Sequence, residues 1–385
     1  MSQLATTNRA SIRYVKELSW GVTPNTAFQE IRGTAESMKP KKDTVESATI
    51  RSDRQVEFIG EVGLSTDGAV KTELSTKTVD FIAAALQGAW TTLSALAGTI
   101  TLSHTAQTVA FSNVADYNVA AGASFIRLAG STANNNGVKA VLSADAPSNT
   151  ITLAAGSILA DEDSTTNTAL VLTANYVRNG VTPTSFTREV AFLDINKFKV
   201  TTGEMVTKLD LAIEAKKLVT LDFTTVAKDY AVNTASIAPS VTAAAVEQSA
   251  SASVNVGAIT DGTTPLATAL SNLKISLNNN ERQRPQVGSL FSAGLGFGQC
   301  VVTGSFSAYF ADIVLAGKFL SHTAVNLLSV INLPIGKTLA IKVPQALLSD
   351  DQADVDGANK DLMENIQFKA CVDPVLGYTI QIDLV

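Results

Sequence analysis

Few residues of this sequence have the type and spacing that chemistry requires. The chain has two histidines, His104 and His322, and neither has a clustered Cys, Asp or Glu at the spacing of metal ligands or of a catalytic pair. No nucleophile elbow, zinc-protease motif or Walker motif occurs. We therefore expect no catalytic residue, no metal and no cofactor, and the sequence predicts that the protein is not an enzyme.

Two further segments resemble ligand-binding motifs only in part. The segment Gly294–Gly298 is rich in glycine, but it lacks the Rossmann spacing and leads into a strand, so glycines of a curved strand are the favoured interpretation. The segment Asp350–Gly357 contains four aspartates. It lacks the ligand order and closing Glu of an EF-hand, which favours a solvated acidic loop over a calcium site.

The basic residues do not form a footprint for nucleic acid. The chain has a formal charge of −6 and a pI near 5.1, whereas nucleic-acid-binding proteins are usually basic. The run Lys39, Lys41 and Lys42 could contact DNA, but on an acidic chain it is better interpreted as pairing with acids of a neighbouring subunit. Trp20 and Trp90 could stack on a base, although single aromatics beside strands usually serve packing.

The fraction of charged residues is low. Of 385 residues, 45% are apolar and only 17% are charged, against about 25% in an average soluble domain. This favours a surface that copies of the same chain cover. The two cysteines, Cys300 and Cys371, are expected to be buried thiols. The sequence shows no secretory signal and no apolar stretch of membrane-spanning length, so we expect synthesis in the cytoplasm.

The predicted secondary-structure elements are mostly strands, because apolar residues alternate along the chain with a period of two. We expect strands with one buried face in the following places: Val56–Val62, Val70–Leu74, Leu209–Ile213, Val219–Phe223, Leu273–Leu277, Val302–Phe310, Ile366–Ala370 and Tyr378–Leu384. Few segments have apolar residues at the spacing of one helix face; they are Thr78–Ala89 and Ala311–Leu320, which we expect to form helices. The sequence therefore predicts a mainly β, mostly antiparallel protein.

The order of these elements repeats. In each half a strand (Phe28–Ser37 or Leu270–Leu277) leads through a polar connection with arginines into a Gly-rich strand and a helix. The copies are displaced by about 235 residues, which indicates a duplicated domain and not a solenoid. Residues 98–178 have a different texture, rich in Ala, Ser, Thr and Asn, and are expected to form a small inserted β domain.

Short motifs in a fixed order resemble the tail tube proteins of phages with long non-contractile tails. The N-terminal part contains Gly21-Val-Thr-Pro24, Ile50-Arg-Ser-Asp-Arg-Gln55 and a helix that ends in Ala84-Ala-Leu-Gln-Gly88. The C-terminal part contains Leu277-Asn-Asn-Asn280, Val302-Thr-Gly-Ser305 and Ala308-Tyr-Phe310. The resemblance covers nearly the whole chain outside residues 98–178 and the low-complexity segment after residue 234.

The resemblance implies a fold and an assembly. The expected fold is two tandem tail-tube β-sandwiches, each with a short helix, and a small inserted β domain. The first tube domain would comprise residues 1–97 and 179–234, with the insert (98–178) on the tube exterior. A linker (235–262) and a second tube domain (263–385) would follow. A ring of three chains would contain six tube folds and so resemble a hexamer. A homohexamer is the alternative.

The same resemblance implies partners and a contact surface. The stacked rings would form part of the virion tail. Their partners would be a tape measure protein and tail terminator or tip proteins. DNA would pass through the lumen without sequence-specific binding, and no membrane would be involved. Loops after the first strand of each copy would reach the next ring. The residues expected there are Lys39, Lys41, Lys42, Asp43, Glu46, Arg51, Arg54, Arg282 and Arg284.

A different class of function stays open at this point. The Ala/Thr/Asn-rich insert would also suit a β-rich tail decoration protein or a protein that binds the host surface. Such a protein would bind glycans and form discrete oligomers without tubes, so electron microscopy of the purified chain would separate the two hypotheses.

Overall fold

The computed structural model describes residues 4–267, 269–334, 336–353, 357–358 and 360–385. The protein is mainly β, with short helices, as the alternation of apolar residues predicts. The residues of the Asp350–Gly357 segment at positions 354–356 lie outside the described residues, and those at 350–353 continue a strand.

The elements follow one another in short connections. The strands before residue 195 are β1 (Ala10–Lys16), β2 (Phe28–Ile31), β3 (Gly33–Glu36), β4 (Lys39–Glu46), β5 (Ile59–Glu73), β6 (Thr91–Leu93), β7 (Ile100–Ser103), β8 (Thr108–Phe111), β9 (Phe125–Ala129), β10 (Gly137–Asp145), β11 (Thr150–Leu153), β12 (Glu162–Asp163), β13 (Val171–Arg178) and β14 (Ser185–Phe192). The later strands are β15 (Lys197–Glu214), β16 (Thr220–Ala227), β17 (Asp229–Asn233), β18 (Val241–Thr242), β19 (Val256–Asp261), β20 (Thr264–Pro265), β21 (Leu270–Asn278), β22 (Arg282–Gln283), β23 (Leu295–Gly296), β24 (Val301–Tyr309), β25 (Val325–Asn332), β26 (Thr338–Ala353), β27 (Met363–Ala370) and β28 (Gln381–Leu384). The helices within the described residues are α1 (Val79–Ala85), α2 (Val114–Gly122) and α3 (Val314–Leu320), with 3-10 turns at Thr7–Arg9 and Thr76–Thr78.

The chain divides into two compact units by its internal contacts. Unit 1 comprises residues 1–87, 181–249 and 273–304, and unit 2 comprises residues 88–180, 250–272 and 305–385. Each unit is therefore built from three separate stretches of chain. The sequence predicts boundaries for two duplicated domains and an insert. Those boundaries stay a prediction.

Unit 1 contains an antiparallel sheet in the order β1, β14, β15, β16 and β5. Its core is aromatic: the Phe81 ring on α1 stacks on Phe186 with 4.8 Å between centroids and lies 4.9 Å from Tyr14 and 5.5 Å from Phe223. The Phe81 side chain is fully buried. Aromatic pairs at these separations contribute beyond their buried area, so this cluster anchors α1 on the sheet.

Strand β14 also buries charge, because both of its faces are covered. The Arg188 guanidinium Nε donates to Glu204 at 3.0 Å, and both side chains are almost completely buried. On the other face, the Glu17 carboxylate accepts hydrogen bonds from the Ser185 and Thr187 hydroxyls, each at 2.7 Å. Buried charges need such partners to offset the loss of hydration.

Unit 2 repeats the strand order of unit 1. Strands β19, β25, β26 and β27, together with β24, of which residues 305–309 belong to unit 2, pair as β1, β14, β15, β16 and β5 do. Two register shifts correspond as well, near Phe186 in β14 and Val325 in β25, and near Val206 in β15 and Leu348 in β26. A third shift, between β19 and β25, has no counterpart between β1 and β14. In both orders a short helix follows the last strand, α1 after β5 and α3 after β24.

Residues 88–180 of unit 2 form their own hydrophobic cluster. Strands β7, β8 and β11 pair antiparallel, and Ile100, Val109 and Ile151 from them are fully buried together. Residues 98–178 contain the strands β7 to β13. Helix α2 was not expected; it begins where the Asn113 side chain accepts from the backbone N–H of Ala115, a typical N-cap.

The two helices expected from the sequence are present, in shorter form, as α1 and α3. The expectation that Lys39, Lys41, Lys42, Asp43 and Glu46 lie in a loop is wrong, because Lys39–Glu46 form β4 and pair with β5. Strand β19 lies within the predicted linker, and it pairs with β25. Backbone hydrogen bonding to a partner strand explains both cases, since neither segment shows the alternation of a half-buried strand.

Stability should depend on pH through Asp383 in β28. The carboxylate is buried and accepts from the Ser124 backbone N–H at 2.9 Å, and burial raises the pKa of Asp383 to about 6. The folded state therefore takes up a proton more readily than the unfolded chain. We expect the contribution of Asp383 to the free energy of unfolding to rise by roughly 1–3 kcal/mol as the pH falls from 7 to 4.

The matched comparison is Asp383→Asn, which cannot take up that proton. In urea unfolding of the unassembled chain at pH 8, 6 and 4.5, the free energy of unfolding of the wild type relative to that of the variant should increase as the pH falls. Other titrating groups, including Glu364, contribute equally to both proteins. Parallel profiles would contradict the assignment to Asp383.

Candidate assembly surface

The β4–β5 hairpin carries most of the residues that the sequence assigns to subunit contacts. Strand β4 pairs with the first half of β5 from Lys39 opposite Asp67 to Glu46 opposite Ile59. All eight residues of β4 are exposed, and they span about 26 Å. Among the described residues no strand pairs with the other side of β4, and an isolated two-stranded ribbon is only marginally stable in water.

Large apolar side chains are exposed on this hairpin and its tip. Ile50 is 98% exposed, Phe58 61% and Val62 55%. Val45, Val56 and Ile59 are also exposed by more than half. The alternation Val56, Phe58, Val62 was expected to mark a buried face, and it is not buried within the chain. Contiguous apolar surface of this kind marks an interaction site.

The charged residues of the hairpin pair locally. The Arg51 guanidinium donates to Asp53 through Nε at 3.0 Å and Nη2 at 2.8 Å. The hydrogen bond from Arg51 holds the pKa of Asp53 below its usual value. The Lys42 ammonium lies 3.3 Å from a Glu61 carboxylate oxygen. Exposed ion pairs contribute little to stability, so these charges are available to complement another surface.

The connection between β21 and β24 lies against the same hairpin. The Leu64 backbone N–H of β5 donates to the Leu290 carbonyl at 2.8 Å. At the start of the connection, the Asn279 amide donates to the Ala85 carbonyl at the end of α1 at 2.8 Å. Arg282 and Arg284 are exposed in this connection. The structure thus brings both predicted connections together in unit 1.

The other candidate residues do not form a chemical site. His104 and His322 are both exposed and distant in the chain, and the described residues contain no cluster of His, Cys, Asp and Glu able to hold a metal. Within the glycine-rich segment 294–298, Leu295–Gly296 form the short strand β23, paired with β22. Cys300 is half-buried, and burial raises the pKa of its thiol to about 11, whereas Cys371 is exposed, contrary to expectation.

Sequence reasoning located the charged residues of this surface but missed its apolar part. The nine predicted contact residues lie on β4, on the hairpin tip or on the β21–β24 connection. Their role in contacts between rings stays a prediction. The exposed apolar residues could have been recognised from their neighbours, since Gly60 and Gly63 leave no bulk around Phe58 and Val62.

No helix among the described residues has the length and apolarity needed to cross a membrane. Comparison with curated proteins finds no match. A family model described as "Phage tail tube protein" matches residues 7–370, which is most of the chain. Together with the β-rich fold and the uncovered apolar hairpin, this match shows that the chain belongs to the phage tail tube protein family.

Proposed function

We propose that this protein forms stacked rings that make a hollow conduit for DNA ejection, each ring containing three chains that present six similar sheets. As a member of its family it is a structural subunit of the virion tail and assembles with itself into a tube. The tape measure protein and the tail terminator and tip proteins are its proposed partners. The tube carries no catalytic function in this proposal.

The matching sheets of the two units support the ring of three. Both units have the same five-strand order, corresponding register shifts and a helix in the same place. Two related folds in one chain let three chains supply the six positions of a closed ring. Closure removes sheet edges that would otherwise promote aggregation. The net charge of −6 supports a neutral or acidic bore along which DNA moves without adhering.

The exposed apolar hairpin is the observation that carries the stacking of rings. Its strands cannot bury Ile50, Phe58 and Val62 within the chain. A second copy of the chain in the next ring provides the matching surface, as the reach of the hairpin allows. Burial of these side chains would then stabilise the polymer by the hydrophobic effect.

The proposal predicts that a hairpin variant folds but does not form tubes. The triple variant Ile50→Ser, Phe58→Ser and Val62→Ser should keep the wild-type unfolding transition, because the replaced side chains are exposed. It should show rings or free chains, and no tubes, by negative-stain electron microscopy. Wild-type protein should form tubes, and ring images should show whether three or six chains are present.

The matched control is Val181→Ser, which removes an equally exposed apolar side chain, 90% accessible, away from the hairpin. It should polymerise as the wild type does. Tubes of normal length from the hairpin variant would contradict the proposed stacking contact.

A further inference from the structure

The sequence contains two Asn-Gly pairs, Asn136-Gly137 and Asn179-Gly180. Such a pair has a chemistry of its own, because the backbone nitrogen of the glycine can attack the side-chain amide carbon of the asparagine without hindrance from a Cβ atom. Both pairs lie in unit 2, one in the connection from β9 to β10 and the other directly after β13. They differ in how the asparagine side chain is held.

The Asn136 side chain is exposed and is held within its own connection. Its Oδ1 atom accepts from the Ser131 backbone N–H at 2.8 Å, and its Nδ2 atom donates to the Ser131 carbonyl at 3.1 Å. Gly137 has a φ of +113°, and the space beside its Cα atom is open. Opening of this one surface connection therefore frees the amide, and surface loops open at little cost in free energy.

The Asn179 side chain is held by a part of the chain that is distant in sequence. Its Oδ1 atom accepts from the backbone N–H groups of Thr379 and Ile380 at 2.9 and 3.2 Å. Asn179 is half-buried, and the preceding strand β13 pairs with β28. The segment before β28 must separate from the end of β13 to free this amide. Such an opening requires more free energy than the opening of a surface connection.

We propose that Asn136 is a site of spontaneous modification in the folded protein, where it is converted to aspartate and isoaspartate, whereas the fold protects Asn179. The Gly137 backbone nitrogen forms a bond to the Asn136 Cγ atom. The Cγ–Nδ2 bond breaks, and ammonia leaves with the proton of the Gly137 amide. The resulting succinimide ring takes up one water molecule. Hydrolysis at one of its carbonyl carbons gives aspartate, and hydrolysis at the other gives isoaspartate, in which the backbone runs through the side chain.

The reaction would change both the connection and the start of β10. An aspartate at position 136 has no Nδ2 donor for the Ser131 carbonyl, and it adds a negative charge where the Ser131 hydroxyl already donates to the Glu162 carboxylate. An isoaspartate lengthens the backbone by one carbon atom directly before Gly137, which pairs with Leu128 of β9. We therefore expect the first pairs between β9 and β10 to open more often after the reaction.

Mass spectrometry of the full chain compares the site with its internal control. During incubation at mildly alkaline pH, peptides that contain position 136 should gain the mass change from –NH₂ to –OH at least about tenfold faster than peptides that contain position 179. Electron-transfer fragmentation would distinguish isoaspartate from aspartate. In concentrated urea both pairs lose their structure, so the two rates should become similar, mainly through a faster reaction at Asn179.

The matched variant Asn136→Gln keeps an amide but would have to form a six-membered ring, so it should stay unmodified at position 136. Asn136→Asp introduces the charge of the product and should increase hydrogen exchange at Gly137 and Val138 relative to Asn136→Gln. Equal exchange in these two variants would overturn the proposed effect of the charge on β10. An unmodified Asn136 in the folded chain, or equal rates at the two pairs before unfolding, would overturn the proposed site itself.

Discussion

Replacing Phe81 with alanine should destabilise unit 1 by about 3–5 kcal/mol, the range for large aromatic truncations in cores. The ring contacts Tyr14, Phe186 and Phe223 at once and is fully buried. Urea unfolding followed by tyrosine fluorescence and circular dichroism would measure the loss.

The control is Phe58→Ala, which removes the same number of atoms from a ring that is 61% exposed. It should leave the unfolding of the unassembled chain nearly unchanged while weakening tube formation. Equal destabilisation by the two substitutions would contradict the assignment of Phe81 to the core and Phe58 to the assembly surface.

The second large effect concerns the buried ion pair of β14 and β15. Arg188→Ala leaves the Glu204 carboxylate buried without its cation, and Glu36, whose carboxylate lies 3.7 Å from Arg188, loses a second contact. Breaking a buried pair in this way typically costs about 3–5 kcal/mol. The free energy of unfolding at pH 7 should fall by that amount.

A double variant separates the pair from its parts. Arg188→Met with Glu204→Gln removes both charges and should recover much of the loss, because no uncompensated charge then stays buried. As a control, Arg51→Ala breaks an ion pair with Asp53 in which the two side chains are 41% and 40% exposed, and it should not shift the unfolding midpoint measurably. A double variant as unstable as Arg188→Ala would show that packing, and not charge, dominates at this position.

Elements with one buried face could be predicted from the sequence, since burial imposes the period of two. This holds for β15, β16, β27 and the second half of β5, and for α1 with its buried stripe. Strand β4 could not be predicted in this way because all of its residues are exposed. Helix α2 could not be predicted because an Ala-rich segment such as Val114–Gly122 lacks a contrast between an apolar and a polar face.

The buried charged residues could not be predicted from sequence patterns either. A strand that is buried on both faces, such as β14, mixes Phe186, Arg188 and Glu189 without regular alternation. The assembly surface was predictable only in its charged part. Apolar alternation at Val56–Val62 predicts burial, but these side chains are exposed within the chain. In the proposed stacking a second copy would cover them, and a single sequence does not say which chain supplies the cover.

The division of each unit into three stretches of chain constrains the order of events during synthesis. Unit 1 takes its last stretch from residues 273–304, and unit 2 from residues 305–385. A ribosome must therefore deliver more than three quarters of the chain before either unit has all its parts. The edge of β15 stays uncovered until β21 emerges, so nascent chains on one message would expose a strand-pairing template to each other. Synthesis of β21, and not completion of a first contiguous domain, is thus the step that covers this edge of β15.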